Sequence, residues 1–256
     1  MFDSKKRGQV TIFIILGIII VAIIGVAYFL INQSAKDIRQ DAKYDDSKLQ
    51  PLKDYVESCI KFHGTEVINL LGRQGGSVDP GLYQYYFDSK VSYLCHTDSF
   101  TACFNRKPNL IGHMENEIKS YLENNLRFCI DFQQVKEFGY NIDASDELTV
   151  SVSIGDANTI VNLDYPITIK KENTIIKENR FSETFNVPLG RLAEVALDGV
   201  EEEINVGDFF TMPYMLRNRG EVEIERQAVR GSKVYILNLR DNPYSFQYAT
   251  RSFVEE

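Results

Sequence analysis

No signature of a familiar catalytic centre occurs in this 256-residue chain. Gly-x-Ser-x-Gly, His-Glu-x-x-His, the phosphate-binding loop and the dinucleotide fingerprint are all missing, and each positions a nucleophile, metal or phosphate by a specific local geometry. The sequence therefore names no catalytic residue, no cofactor-binding residue and no enzyme class. Cys-x-x-Cys and His-x-x-x-His spacings, the usual marks of structural zinc, are missing too. Tryptophan is absent, while Tyr and Phe number 14 and 16. That many aromatics signal a folded core rather than a disordered stalk. There is no internal repeat and no low-complexity tract.

A basic surplus is also lacking. The formal net charge is −8. Asp3, Lys5, Lys6 and Arg7 give +2 within residues 1–32, so residues 33–256 carry −10, the whole-chain value less that +2. An acidic surface argues against nucleic acid and anionic lipid headgroups as partners, since both select for clustered Lys and Arg.

What the chain does have is Val10 to Ile31, 22 residues without a charge. As a helix the run rises roughly 33 Å at about 1.5 Å per residue, enough for a hydrocarbon layer about 30 Å thick. A single strand of that length would leave its backbone groups unpaired in lipid, so a helix is expected. Lys5, Lys6 and Arg7 sit directly before the run. By the positive-inside rule the first residues face the cytoplasm and the bulk faces outward. The competing reading is a secretory signal peptide. It fits less well, because the apolar stretch exceeds an ordinary signal core and no small-x-small cleavage site follows. The expectation is a single-pass protein of the cell membrane. Gly17 and Gly25, eight apart on one face, allow helix association as weakly as they allow a lone anchor.

Lys5-Lys-Arg-Gly-Gln-Val-Thr-Ile-Phe-Ile-Ile forms a compact leader pattern: basic residues, a Gly-Gln junction, then the apolar helix. It resembles the class III leader of archaeal type IV pilin-like proteins. The resemblance implies cleavage between Gly8 and Gln9 and packing of the apolar helix into a filament core. Thr11 matches that family's polar position, and Phe13 stands where the family carries a glutamate that pairs with a neighbouring subunit's free N-terminus. Tyr55-Val-Glu-Ser-Cys-Ile and Leu70-Leu-Gly-Arg-Gln-Gly-Gly are similar to a group of membrane-anchored proteins of small-genome archaea, which implies a location and no activity. An uncleaved signal anchor is the alternative to a cleaved leader.

Beyond the span the chain divides by periodicity. Residues 1–8 are the basic leader, 9–32 the transmembrane helix and 33–50 a polar stalk, broken before Pro51. Residues 51–137 are expected to hold two amphipathic helices. Leu52 to Leu71 shows three- and four-residue apolar spacing and stops at Gly72, Gly75 and Gly76. Pro108 opens the second, which runs to about Cys129. Between them, Ser77 to Lys107 reads as an irregular, aromatic-rich loop that is long enough to need a function or a staple. Residues 138–256 switch to period two. Leu148–Ile154, Thr159–Lys170 and Thr174–Val187 read as an antiparallel meander, with Pro166 marking an edge or a bulge. A helix over 188–204 follows, its acidic end Glu201-Glu-Glu203 expected to fray against the helix dipole. Short strands are expected at 208–212, 221–227, 233–240 and 244–250, the last two joined by an Asp241-Asn-Pro-Tyr turn. The fold class is thus α+β: a transmembrane helix, a helical pair, and an antiparallel sheet with one further helix in the C-terminal half.

Cys59, Cys95, Cys103 and Cys129 are the four cysteines. Outside the cell they read as two disulfides, and Cys95–Cys103 with Cys59–Cys129 is favoured among the three connectivities. The longer closure is worth roughly 4 kcal/mol in chain-entropy models. Four free thiols are the plain alternative. A metal alternative joins Cys59 to His63 at i, i+4 with Cys95, His96 and Cys103, but no metal site is assigned. His63 is expected to be a hydrogen-bonded core residue, and His96 and His113 to face solvent. The acidic run Asp143-Ala-Ser-Asp-Glu147 reads as a solvated turn, short of an EF-hand loop in its spacing. Asn32-Gln-Ser34 is a glycosylation sequon close to the bilayer.

The expected role is a structural or interaction protein of an archaeal cell surface, a pilin-like subunit or an anchored ectodomain. Its partners would be the lipid bilayer, other copies of itself or other surface proteins. The alternative is an anchored ectodomain that binds a soluble ligand or serves as the recognition part of a membrane complex.

Overall fold

The computed structural model describes residues 46–132, 141–171 and 174–253. The Gly8–Gln9 junction, the apolar run Val10–Ile31 and the stalk to Tyr44 lie outside the described residues. No helix among the described residues is long and apolar enough to cross a membrane.

Helix α1 (Asp46–Arg73) is longer than the expected Leu52–Leu71. Pro51 lies inside it rather than opening it. As the sixth residue it lies past the first turn, so it forgoes one hydrogen bond to the carbonyl four residues back. Helix α2 (Leu110–Cys129) begins two residues after Pro108. Asn109 caps it, its side chain accepting from the Gly112 N–H at 3.2 Å. Leu110, Met114, Ile118, Leu122 and Leu126, four apart, form its buried stripe. The Tyr55 hydroxyl donates to the Cys129 carbonyl at 2.7 Å and ties α1 to the end of α2.

Residues 77–107 are not irregular. They contain β1 (Tyr83–Tyr86), β2 (Ser89–His96) and β3 (Phe104–Asn105). The β1–β2 turn places Phe87 at φ 39° and Asp88 at φ 59°, left-handed geometry usually given to Asn-Gly. No glycine marks it, and that is why the hairpin is hidden in the sequence. The first sheet runs β1-β2-β10-β9-β8, with β3 on β2. Its later strands are β8 (Val222–Val229), β9 (Ser232–Leu239) and β10 (Asn242–Arg251). The pairing of β2 with β10 is parallel, so the sheet is mixed rather than purely antiparallel. That pairing also joins regions 51–137 and 138–256 in one sheet, and Pro51–Glu256 forms one compact unit. The Tyr93 hydroxyl bonds both Gln84 (3.1 Å) on β1 and Ser232 (2.7 Å) on β9. One sheet face therefore curls onto itself around Val91, Tyr93, Val234 and Ala249.

The second sheet holds β4 (Asn141–Ala144), β5 (Thr149–Ile154), β6 (Thr159–Lys171) and β7 (Thr174–Phe185). β6 is central, with β7 on one side and β4 and β5 in succession on the other. Pro166 sits at a bulge between Asp164 and Ile167, where its missing N–H costs no ladder bond. α2 covers the β5 edge. Glu123 accepts from the Val150 N–H (3.2 Å) and Glu115 from the Ile154 N–H (3.0 Å), so carboxylates blunt an otherwise open strand edge.

Helix α3 (Leu189–Val206) ends at Gly207 in the left-handed conformation. The expected strand 208–212 is absent, and α4 (Thr211–Arg217) follows instead, a second helix in the C-terminal half. At the start of α3, Gly190 lies against the β5–β6 turn, and a Cβ there would meet the Gly155 carbonyl oxygen at 2.5 Å.

Candidate functional site

Cys95 is bonded to Cys103 and Cys59 to Cys129. The short bridge clamps the loop 97–102, which is held further by hydrogen bonds to the end of β10. Thr97 N–H donates to the Arg251 carbonyl (3.0 Å), Phe253 N–H to the Thr101 carbonyl (3.1 Å), and Cys103 N–H to the Ser252 hydroxyl (3.0 Å). A loop fixed at both ends and along its flank pays little entropy when it is used for contact.

The same strand ends build a patch of alternating aromatic and guanidinium groups. His96 is the cross-strand neighbour of Phe104 on β3 and of Arg251 on β10, so the three share one row. Arg106 lies over the Phe104 ring at 4.8 Å and Arg251 over the Phe253 ring at 5.8 Å. Phe100 packs on Phe253 with ring centroids 5.2 Å apart. Phe100 is 83% exposed and Phe104 57%, unusual for phenylalanines on a rigid frame. Neither Arg106 nor Arg251 forms an ion pair among the described residues, and Arg251 Nε is buried without a hydrogen-bond partner. Burial holds His96 below its ordinary pKa. Asp98 at 3.7 Å pulls the other way, while Arg251 and Arg106 add to the depression. His96 is thus buried and neutral at pH 7, not solvent-facing. The patch offers two stacked guanidiniums and three phenyl faces, with the exposed Asp98 carboxylate in the clamped loop beside them, and guanidiniums on aromatic rings suit carboxylates flanked by apolar groups.

A second cluster carries reactive residue types. Ser77 Oγ is 2.9 Å from His113 Nε2, Lys107 Nζ is 2.7 Å from the same nitrogen, and Lys107 also donates to Ser77. Because Lys107 donates, His113 Nε2 accepts, and the ring is neutral with its proton on Nδ1. Burial lowers the pKa of both Lys107 and His113, and the proximity of Lys107 lowers His113 further. Glu117 accepts from the Val78 N–H at 2.8 Å. Ser77 is 2% exposed. The arrangement latches the turn after α1 to the first turns of α2, and it draws His113 in from the solvent position expected for it. His63, half-buried, bonds Glu66 at 3.3 Å.

Glu203 is the functional-type residue that sequence reasoning missed. It does not fray: it is fully buried. Its carboxylate accepts from Tyr235, from Thr250 Oγ1 at 3.1 Å and from Lys233 at 3.0 Å. Desolvation raises its pKa, opposed by Tyr235 and Lys233. Asp208 is only partly buried, and against that lesser desolvation Arg226 and Lys233 draw it below the usual carboxylate range. The signal was in the spacing, since 203 continues the apolar series 192, 196, 200 of α3. Beside it, α3 and α4 flank a groove of about 480 Å³ whose lining mixes the carboxylates of Asp198, Glu201 and Glu202 with the guanidiniums of Arg191 and Arg217.

All four cysteines are spent in disulfides and cannot offer thiolates. Among the described residues no three His, Cys, Asp or Glu side chains converge as a metal site would. The run 143–147 forms the end of β4 and a turn in which Ser145 Oγ accepts from the Glu147 N–H at 3.0 Å. No protein-family model, curated protein or solved structure matches this chain.

Proposed function

We propose that this chain is a single-pass, membrane-anchored protein of the cell surface that works by contact rather than by catalysis. Val10–Ile31 is its anchor, and Pro51–Glu256 is the part presented outward. The observation that supports this most is the pair of disulfides, because two bonded cysteine pairs and no free cysteine suit an oxidising compartment. The clamped loop 97–102, with its exposed phenylalanines and stacked arginines, is the contact surface. Its rigidity and apolar exposure suit a macromolecular partner better than a small solute, which favours an enclosing pocket. The pilin-like reading of the leader is the finer form of the same proposal.

Two measurements test it. Protease added outside intact cells should remove the bulk of the chain and spare the first residues; the reverse pattern sinks the proposed topology. The mass of the mature N-terminus decides the finer form. A chain beginning at Gln9 supports processing, and an intact Met1 in purified membranes removes the pilin-like branch while leaving an anchored contact protein.

A further inference from the structure

We propose that the Lys233 and Asp208 side chains join in an amide bond that the folded chain makes by itself, with Glu203 as the proton carrier. The inference goes beyond the contact-protein reading and stands independently of it. Geometry is its first support. Lys233, the second residue of β9, brings its Nζ to two carboxylates at once. It lies 3.0 Å from Oδ1 of Asp208, just past the end of α3. It also lies 3.1 and 3.0 Å from the two oxygens of Glu203, in the last turn of that helix. The carbon to be attacked is bonded to that Asp208 oxygen, so the amine starts at close range, and groups held in place react far faster than free ones.

The surroundings give the two carboxylates different roles. Both oxygens of Asp208 receive the Arg226 guanidinium at 2.7 Å, which draws electron density from the carboxyl carbon and can meet charge that gathers on its oxygens. Glu203 is fully buried and takes hydroxyl hydrogen bonds from Tyr235 and Thr250 instead. Its desolvation makes it a better proton acceptor than an ordinary carboxylate. The Tyr235 ring packs on Phe209 and on Tyr248, with centroids 5.6 and 5.1 Å apart, and all three rings are buried. Lys233 and Asp208 are partly withdrawn from water at the edge of this apolar wall. An ion pair so placed carries a desolvation cost that a neutral amide does not.

In the step itself, the Lys233 ammonium gives a proton to Glu203, and the amine lone pair attacks the Asp208 carboxyl carbon. The N–C bond forms as the carbonyl electron pair moves to oxygen beside Arg226. Glu203 passes its proton to one Asp208 oxygen, takes a second proton from the nitrogen and passes that to the same oxygen. The C–O bond breaks and water leaves. An ammonium and a carboxylate have become a secondary amide and one water, nothing is oxidised or reduced, and Glu203 ends as it began. The bond ties the α3–α4 connection to β9 and closes residues 208–233 into a ring.

The test is mass spectrometry of the full chain purified in detergent, intact and after digestion. Wild type should lack the mass of one water, beyond the hydrogens lost to its two disulfides. One branched peptide should carry Lys233 joined to Asp208, a readout that processing at the N-terminus does not disturb. Lys233→Arg keeps a cation facing Glu203 and should show the full mass, as should Asp208→Ala. Glu203→Gln keeps the bulk and an acceptor but carries no proton, and its peptides should stay unjoined; undiminished joining there overturns Glu203 as the carrier. Wild type at its full mass overturns the proposal outright, as does a loss of water that survives Lys233→Arg or Asp208→Ala.

Discussion

Removing the Cys59–Cys129 bridge is the perturbation whose size the structure defines most directly. The bond joins residues 70 apart in sequence, and the Cys95–Cys103 bond joins residues only 8 apart. Loop-closure entropy makes the long bridge worth about 4.4 kcal/mol and the short one about 2.5 kcal/mol. The Cys59→Ser, Cys129→Ser variant should keep its native helix contact, because Tyr55 still donates to the Cys129 position's carbonyl. Its loss should come chiefly from a freer unfolded chain. For a unit of this size each kcal/mol shifts the melting temperature by about 2–4 °C, so a fall of about 9–18 °C is expected. Urea unfolding should show the larger midpoint change for the long bridge and a steeper slope, since the uncrosslinked unfolded state exposes more surface. A smaller loss from the long bridge than from Cys95→Ser, Cys103→Ser would refute the entropic reasoning. The short-bridge variant carries the converse expectation: a smaller loss of stability, with the loop bearing Phe100 becoming the first site cut in limited proteolysis.

The Ser77–Lys107–His113 latch sets a pH dependence. His113 has a folded pKa below its ordinary 6.5, so the unfolded chain takes up the proton first. Its stability contribution is whole above pH 6.5 and falls as pH drops through and below that value. His113→Gln should flatten the fall in a melting-temperature profile, and an unchanged profile would assign it elsewhere. Glu203→Leu leaves the Tyr235 and Thr250 hydroxyls buried without an acceptor, at a cost of about 3 kcal/mol. Glu203→Gln, which keeps an acceptor, should cost about half as much in chemical denaturation. Gly190→Ala should destabilise by about 1–3 kcal/mol despite alanine's helix propensity, because its Cβ would press on the Gly155 carbonyl, which is backbone and cannot turn aside. A gain in stability on urea unfolding would mean that the turn yields.

Where side-chain periodicity dominates, the sequence is easy to read. β5, β6 and β7 lie within two residues of the alternation that announces them, and α2 and α3 follow their apolar stripes. Pro166 marks its bulge because no other residue type lacks the N–H. Legibility fails where tertiary context overrides local signals. Phe87 and Asp88 make a left-handed turn without glycine, so β1 and β2 are hidden among aromatics. The seven-residue α4 carries Pro213 at its third position and looks like the end of a strand. Glu203 looks like a helix-end liability beside two other glutamates, and only Lys233, Tyr235 and Thr250, remote in sequence, make its burial affordable. The contact patch was half visible. Its cysteines and Phe100 stand out in the loop, but Arg106 is set beside them by the short β2–β3 pairing, and Arg251 and Phe253 join them only through the parallel β2–β10 pairing.

That pairing bears on how the chain is made. β10, the last strand among the described residues, lies between β2 and β9. Until it leaves the ribosome, the earlier strands wait with two raw flanks and nothing to zip them. A product stopped short of Asn242 would therefore be a sticky fragment rather than a slightly smaller protein, and cellular quality control has a natural checkpoint in that final segment.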